Sequence, residues 1–224
     1  MKLLSIEKTR LTDLFQVARP QGRLPITKIA TELVDRYSFA GTPQSLDDLT
    51  SDHVEFSHGI FQDEAIEKLD VYNDGVVISG SSNSDFLEAF LDDIVLWLEQ
   101  DLEMTRVHMK DVTRYYESEI VVELDPCVLD VLKPLNDICS KVSTMVKNNT
   151  GLEADYSALG YALTTEPASA NGIVPSTFRV ERRLASEFHF NQFVSTAPLK
   201  TDQHLDILRS IEDAARQNSG KARQ

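Results

Sequence analysis

His189 and Asn191 stand two apart in Glu187-Phe188-His189-Phe190-Asn191-Gln192, a polar stretch followed shortly by Ser195. On a β-strand that spacing sets both side chains on one face, opposite Phe188 and Phe190. Such a face would line a pocket in which His189 serves as acid or base, because imidazole changes charge near neutral pH. The ordinary alternative is a solvated strand face. Just upstream, Arg179-Val180-Glu181-Arg182-Arg183 puts Arg179, Glu181 and Arg183 on one strand face. Arg182 then shares the other with Phe178 and Val180. An arginine on an apolar face asks for a carboxylate, so the first expectation is an internal Arg–carboxylate pair. The sharper alternative is recognition of an acidic ligand by Arg179, Arg182 and Arg183.

A second anion candidate is Gly80-Ser81-Ser82-Asn83-Ser84, a strand-to-helix turn in which Ser81 and Ser82 offer hydroxyls beside free helix N–H groups. It contains no Lys, and Asp85 and Glu88 already complement the positive end of the helix. A capping turn is the simpler reading. Metal ligation has little support. Cys127 and Cys139 lie twelve apart on one predicted helix, too far to share an ion, and His53 and His58 are expected on opposite strand faces. No nucleophile elbow occurs. Adjacent pairs such as Asp92-Asp93 diverge by about 100° on a helix and make no shared site. No cofactor is expected, and no motif resembles that of a known family.

The elements that must carry these residues follow from periodicity. Residues 1–18 are read as helix from Leu3, Leu4, Leu11, Leu14, Phe15 and Ala18, ending at Arg19-Pro20-Gln21-Gly22-Arg23. A second helix is expected from Pro25, with Ile26, Ile29, Ala30, Leu33, Val34 and Tyr37 inward. Val54, Phe56, His58 and Ile60 alternate as a strand. Ile66–Tyr72 and Val76–Ser79 form a hairpin about Asn73-Asp74-Gly75. Phe86 to Leu102 is a helix capped by Asn83 or Ser84. Ile120–Val122 is a short strand.

Asp125-Pro126 opens a helix over 126–147, in which Val128, Leu135 and Val142 repeat at seven-residue spacing. Packing on the chain's own sheet is the first reading of that stripe, and pairing with a second chain is the alternative. Pro134 should kink it. Strands are expected at Ala154–Leu163, Thr177–Arg183 and Phe188–Ser195, with a loop over Thr164–Ser176 and a last helix over Thr201–Arg216.

These elements predict an α+β fold, mainly antiparallel sheet with helices packed on one face and a terminal helix closing a strand-rich C-terminal half. The expected division is an N-terminal helical segment over 1–50, a core over 51–216 and a frayed tail over 217–224. The core is read either as one body or as two lobes meeting near 150.

Composition narrows the function classes. The 224 residues carry 22 Lys+Arg against 36 Asp+Glu, a formal charge of -14, so a protein that wraps DNA is unlikely on charge alone. Residues 1–36 hold 7 basic and 4 acidic side chains and 178–224 hold 8 and 6, while the centre holds 7 and 26. An acidic middle therefore lies between mildly basic ends. The start of the chain lacks the apolar run of a secretory signal, and no window reaches the ~18 apolar residues of a membrane span, so a cytoplasmic location without membrane contact is expected. The leading expectation is an accessory or regulatory protein that contacts other proteins and self-associates. The alternatives are an enzyme using His189 with Arg179 or Arg183, and an acidic inhibitor that mimics nucleic-acid charge.

Overall fold

The computed structural model describes residues 1–18, 26–45, 48, 53–72, 74–107, 113–166 and 174–221. Outside them lie the expected break at 19–23, Pro25, Asn73, the middle of the 164–176 loop and residues 222–224. The fold is α+β with mainly antiparallel sheet and a C-terminal helix. Among the described residues, no helix is long and apolar enough to cross a membrane.

The strands are β1 (Lys2–Leu14), β2 (Gln16–Ala18), β3 (His53–Phe61), β4 (Glu64–Tyr72), β5 (Gly75–Gly80), β6 (Thr105–Val107), β7 (Thr113–Glu123), β8 (Gly160–Leu163), β9 (Phe178–Arg182) and β10 (Gln192–Ala197). The helices are α1 (Ile26–Tyr37), α2 (Ser84–Asp101), α3 (Asn136–Thr150) and α4 (Thr201–Lys221), with 3-10 segments at Pro126–Leu135 and Phe188–Phe190. One element order is used twice: strand, helix, three strands, helix. It runs β1, α1, β3 to β5, α2 and again β7, α3, β8 to β10, α4. The sheet order repeats as well, β1-β5-β4-β3 and β7-β10-β9-β8. Two compact units share β1 and β7: one of residues 6–118 and 198–202, the other of 1–5, 119–197 and 203–224.

The unit of 6–118 and 198–202 is built on α2. Asn83 caps it, its side chain accepting from the Phe86 N–H at 2.9 Å. Leu87, Phe90, Leu91, Ile94 and Trp97 pack with Leu11, Ile66, Leu69 and Ile78 from the strands and Leu33 and Tyr37 from α1. The β4–β5 hairpin closes as expected, Tyr72 opposite Gly75. The β3–β4 turn does not announce itself in the sequence. Gln62 and Asp63 both take positive φ, 49° and 66°, the geometry that Asn-Gly normally supplies.

Residues 2–14 form a strand, not the expected helix. The inward residues are Thr9, Leu11, Asp13 and Phe15, a period of two that the polar Thr9 and Asp13 conceal. In β3 the alternation also breaks. His58 adopts φ 55°, so Val54 and Phe56 are buried but His58 and Ile60 are exposed, and Gly59 turns inward instead. A Cβ at Gly59 would lie 2.5 Å from the Phe39 ring, itself buried against Tyr37 and Phe56. Gly59→Ala is therefore expected to cost about 1–3 kcal/mol, the range for overpacking a filled core. Urea unfolding measures it, and a variant as stable as the parent would show that Phe39 can give way.

The unit of 1–5, 119–197 and 203–224 buries Ile120, Val121, Val122, Val128, Phe178, Val180, Phe193 and Leu208. Asp125 caps the 3-10 segment, accepting from the Cys127 N–H at 3.0 Å, with Pro126 at its first position. The single helix expected over 126–147 is divided: ten 3-10 residues end just past Pro134, and α3 begins at Asn136. A proline removes one backbone donor and favours such a break. Of the strand expected at 154–163 only Gly160–Leu163 forms.

Candidate functional site

Residues 188–190 are a 3-10 turn where a strand was expected, which ends the notion of a polar strand face shared by His189 and Asn191. Asn191 takes φ 52° and stops the turn, a conformation asparagine tolerates better than most residues. His189 is 64% exposed and pairs with Glu187 at 3.1 Å. Its ring lies 4.0 Å, centroid to centroid, from that of Phe190. Arg179 sits beside Glu181 at 3.5 Å on the exposed face of β9, and Arg183 closes a backbone turn to Ser186. No hydrogen bond or ion pair joins His189 to Arg179 or Arg183 among the described residues. In the other unit, Ser82 donates to Glu64 at 2.8 Å and Ser81 is exposed.

Arg182 has no internal carboxylate partner among the described residues, against the first expectation. Its Nη1 donates to the Phe188 carbonyl at 2.8 Å, and its guanidinium carbon lies 5.1 Å from the Phe188 ring and 5.5 Å from the Phe193 ring. Aromatic faces and a carbonyl do the work assigned to an acid. Burial pushes its pKa down.

The largest departure concerns the apolar stripe over 126–147. Val128 is buried, but Leu135 and Val142 are exposed, so packing on the chain's own sheet is not what occupies them. Between and beyond them Val131 is 70%, Ile138 56% and Met145 63% exposed. The helix α3 contains no buried side chain at all. Its C-terminus is secured by Gly151 at φ 72°, whose N–H donates to the Lys147 carbonyl at 2.8 Å. The chain then returns along one flank, where the Tyr156 N–H donates to Ser143 Oγ at 2.9 Å and Cys139, Ser143 and Val146 are half-buried. Leu135, Ile138, Val142 and Met145, spaced three, four and three apart, remain open. That spacing forms a seam on one side of a helix.

Three polar arrangements escaped the sequence reading because they join distant residues. Ser195 Oγ donates to the Arg179 carbonyl at 2.7 Å and lies 2.8 Å from His204 Nε2. Since that hydroxyl proton is committed to the carbonyl, Ser195 Oγ accepts from His204 Nε2–H. Both residues are fully buried, so the pair is inaccessible to a substrate. Burial brings the His204 pKa down to about 4. In the other unit, fully buried Asp13 accepts from Arg114 Nε at 3.1 Å. Finally, His53, Glu55 and Asp70 hold ligand-type atoms within 4.8 Å of one another beside a cleft of about 390 Å³. The Lys68 ammonium lies 2.9 Å from Glu55 and 3.1 Å from Asp70 and already supplies a cation there.

No family model and no curated protein matches this chain by sequence. Among solved structures, Methanococcus jannaschii TBP is similar at a TM-score of 0.45 and 10% identity, over 95% of this chain and 98% of that one. So loose a likeness assigns no function.

Proposed function

We propose that this chain is a cytoplasmic accessory or regulatory protein that acts by protein–protein contact and pairs with a second copy of itself through α3. The open seam of Leu135, Ile138, Val142 and Met145 carries this reading. A 15-residue helix is marginal in water by its own propensity and normally draws its stability from a buried apolar face. The corresponding helix of the first half does so: α1 buries Leu33 and Tyr37. A three-four seam suits the same seam on another copy, because knobs of one helix fill holes of the other and a two-fold axis makes both partners equivalent.

Introducing charge into the middle of the seam tests it. Ile138→Glu with Val142→Glu is expected to remove about 3 kcal/mol of dimer stability, roughly a hundredfold in Kd, without unfolding a chain in which neither residue is buried. Light scattering across a concentration series reads the mass. A parent that stays monomeric at high concentration, or a double variant that dimerises as well as the parent, would overturn the reading.

A further inference from the structure

Arg182 lines a cleft of about 260 Å³ together with Leu129, Leu132, Asn136, Ser157, Ala158 and Phe188. We propose that this cleft receives a carboxylate carried on an apolar stem, the guanidinium taking the carboxylate and Leu129, Leu132 and Ala158 taking the stem. The inference does not depend on self-association.

Three observations support it. First, the guanidinium is held in place before any ligand arrives: the Phe188 carbonyl fixes one nitrogen and the Phe188 and Phe193 rings fix its plane. Of its five N–H donors one is used by that carbonyl, which leaves an edge for two parallel bonds to a planar acid. A side chain already immobilised loses little further entropy on binding. Second, the rings and the carbonyl hold the guanidinium but leave its positive charge without a carboxylate among the described residues. In a chain with 36 acidic against 22 basic side chains, a half-buried arginine without a carboxylate is costly, and an incoming acid relieves it. Third, the surroundings set the class. Lys133 also lines the cleft but is paired with Asp130 at 2.8 Å, so the site offers a single net positive charge. That matches a monoanion better than a doubly charged phosphate. Two leucines, an alanine and a phenylalanine face the stem, with Asn136 and Ser157 as neutral polar contacts, and the volume suits a short acid.

Isothermal calorimetry with hexanoate as the probe decides the matter, with 1-hexanol and hexyl phosphate in parallel. Saturable hexanoate binding in the low millimolar range is expected, with hexanol at least about tenfold weaker. Arg182→Gln should weaken hexanoate by about tenfold or more, while Arg179→Gln, on the opposite face of β9, should leave it unchanged. Should Arg182→Gln fail to fold, Ala158→Leu fills the cleft with the guanidinium intact and should abolish binding. Acetyl-Ala-Leu with a free C-terminus, compared with its amide, separates the two sources. Tighter binding than hexanoate, lost in the amide, assigns the carboxylate to a polypeptide end, whereas weaker binding assigns it to a free small acid. No saturable binding, hexanol as good as hexanoate, hexyl phosphate clearly tighter, or indifference to both Arg182→Gln and Ala158→Leu would overturn the proposal.

Discussion

Arg114→Met is expected to cost about 3–5 kcal/mol of stability, because it takes a guanidinium away from a carboxylate buried inside the unit of 6–118 and 198–202. Arg114 Nε bonds Asp13 Oδ2 at 3.1 Å, and Asp13 is fully buried. The same guanidinium reaches Glu88 at 3.4 Å and Asp92 at 3.2 Å, while Glu88 also accepts from Lys200 at 2.6 Å and from the Tyr116 hydroxyl. Burial works against ionising Glu88, yet the bonds from Lys200 and Tyr116 outweigh it and hold its carboxyl below the usual range. The exposed arm to Asp92 contributes little by comparison, since surface ion pairs are worth about 0–1 kcal/mol. The bulk of the loss is thus the buried Asp13 carboxylate losing the Arg114 guanidinium. Adding Asp13→Asn to Arg114→Met should recover part of it, with a coupling of roughly 1–3 kcal/mol in urea unfolding. A single variant that loses less than about 1 kcal/mol would mean that water reaches Asp13.

The second large effect is a dependence on pH through His204. Its pKa is about 4 in the folded chain against an ordinary 6.5. Between those values the unfolded chain binds a proton that the folded chain refuses. The contribution of the neutral imidazole is therefore complete above pH 6.5, falls as pH drops through that value, and is gone near 4. The full span is about 3 kcal/mol at 1.36 kcal/mol per unit. Held-down carboxylates such as Glu88 and Asp125 lose their own contribution only as pH falls below their ordinary values, 4.5 and 3.8, so the two windows separate. His204→Gln keeps a neutral donor toward Ser195 and should flatten the stability profile between pH 6.5 and 4.5. Parallel profiles for the parent and the variant would remove His204 from this role.

What could be read from the residues, and what could not, divides along physical lines. Local signals held: Asn83 and Asp125 cap their helices, Gly75 serves the hairpin, and the apolar face of α2 points inward. They depend on neighbours a few residues away. The strand at 2–14 is hidden in the sequence because its buried face includes Thr9 and Asp13, and Arg114, a hundred and one residues on, comes to meet Asp13 there. The turn at Phe188–Phe190 was missed for a similar reason, since Arg182 binds the Phe188 carbonyl. The seven-residue stripe was visible, but spacing alone does not say whether a face is covered. Arg182 was singled out as out of place on an apolar face. That a carbonyl and two rings would hold it in place was beyond what the residues could show.

The split of the chain into units that are not continuous in sequence bears on its synthesis. The unit of 6–118 has nearly all its strands once β7 is made, yet Ser84 exchanges bonds with Thr201, its N–H to the Thr201 hydroxyl at 3.1 Å and its hydroxyl from the Thr201 N–H at 3.0 Å. That clasp forms only after more than seventy further residues have been made. Residues 1–5 belong with 119–197 and 203–224, so that unit includes residues made well before the rest of it. The sheet neighbours of β7 are β1 and β10, and β10 follows β7 by about seventy residues, so the nascent chain carries an open edge on β7 over that interval, in which chaperones and aggregation compete for it.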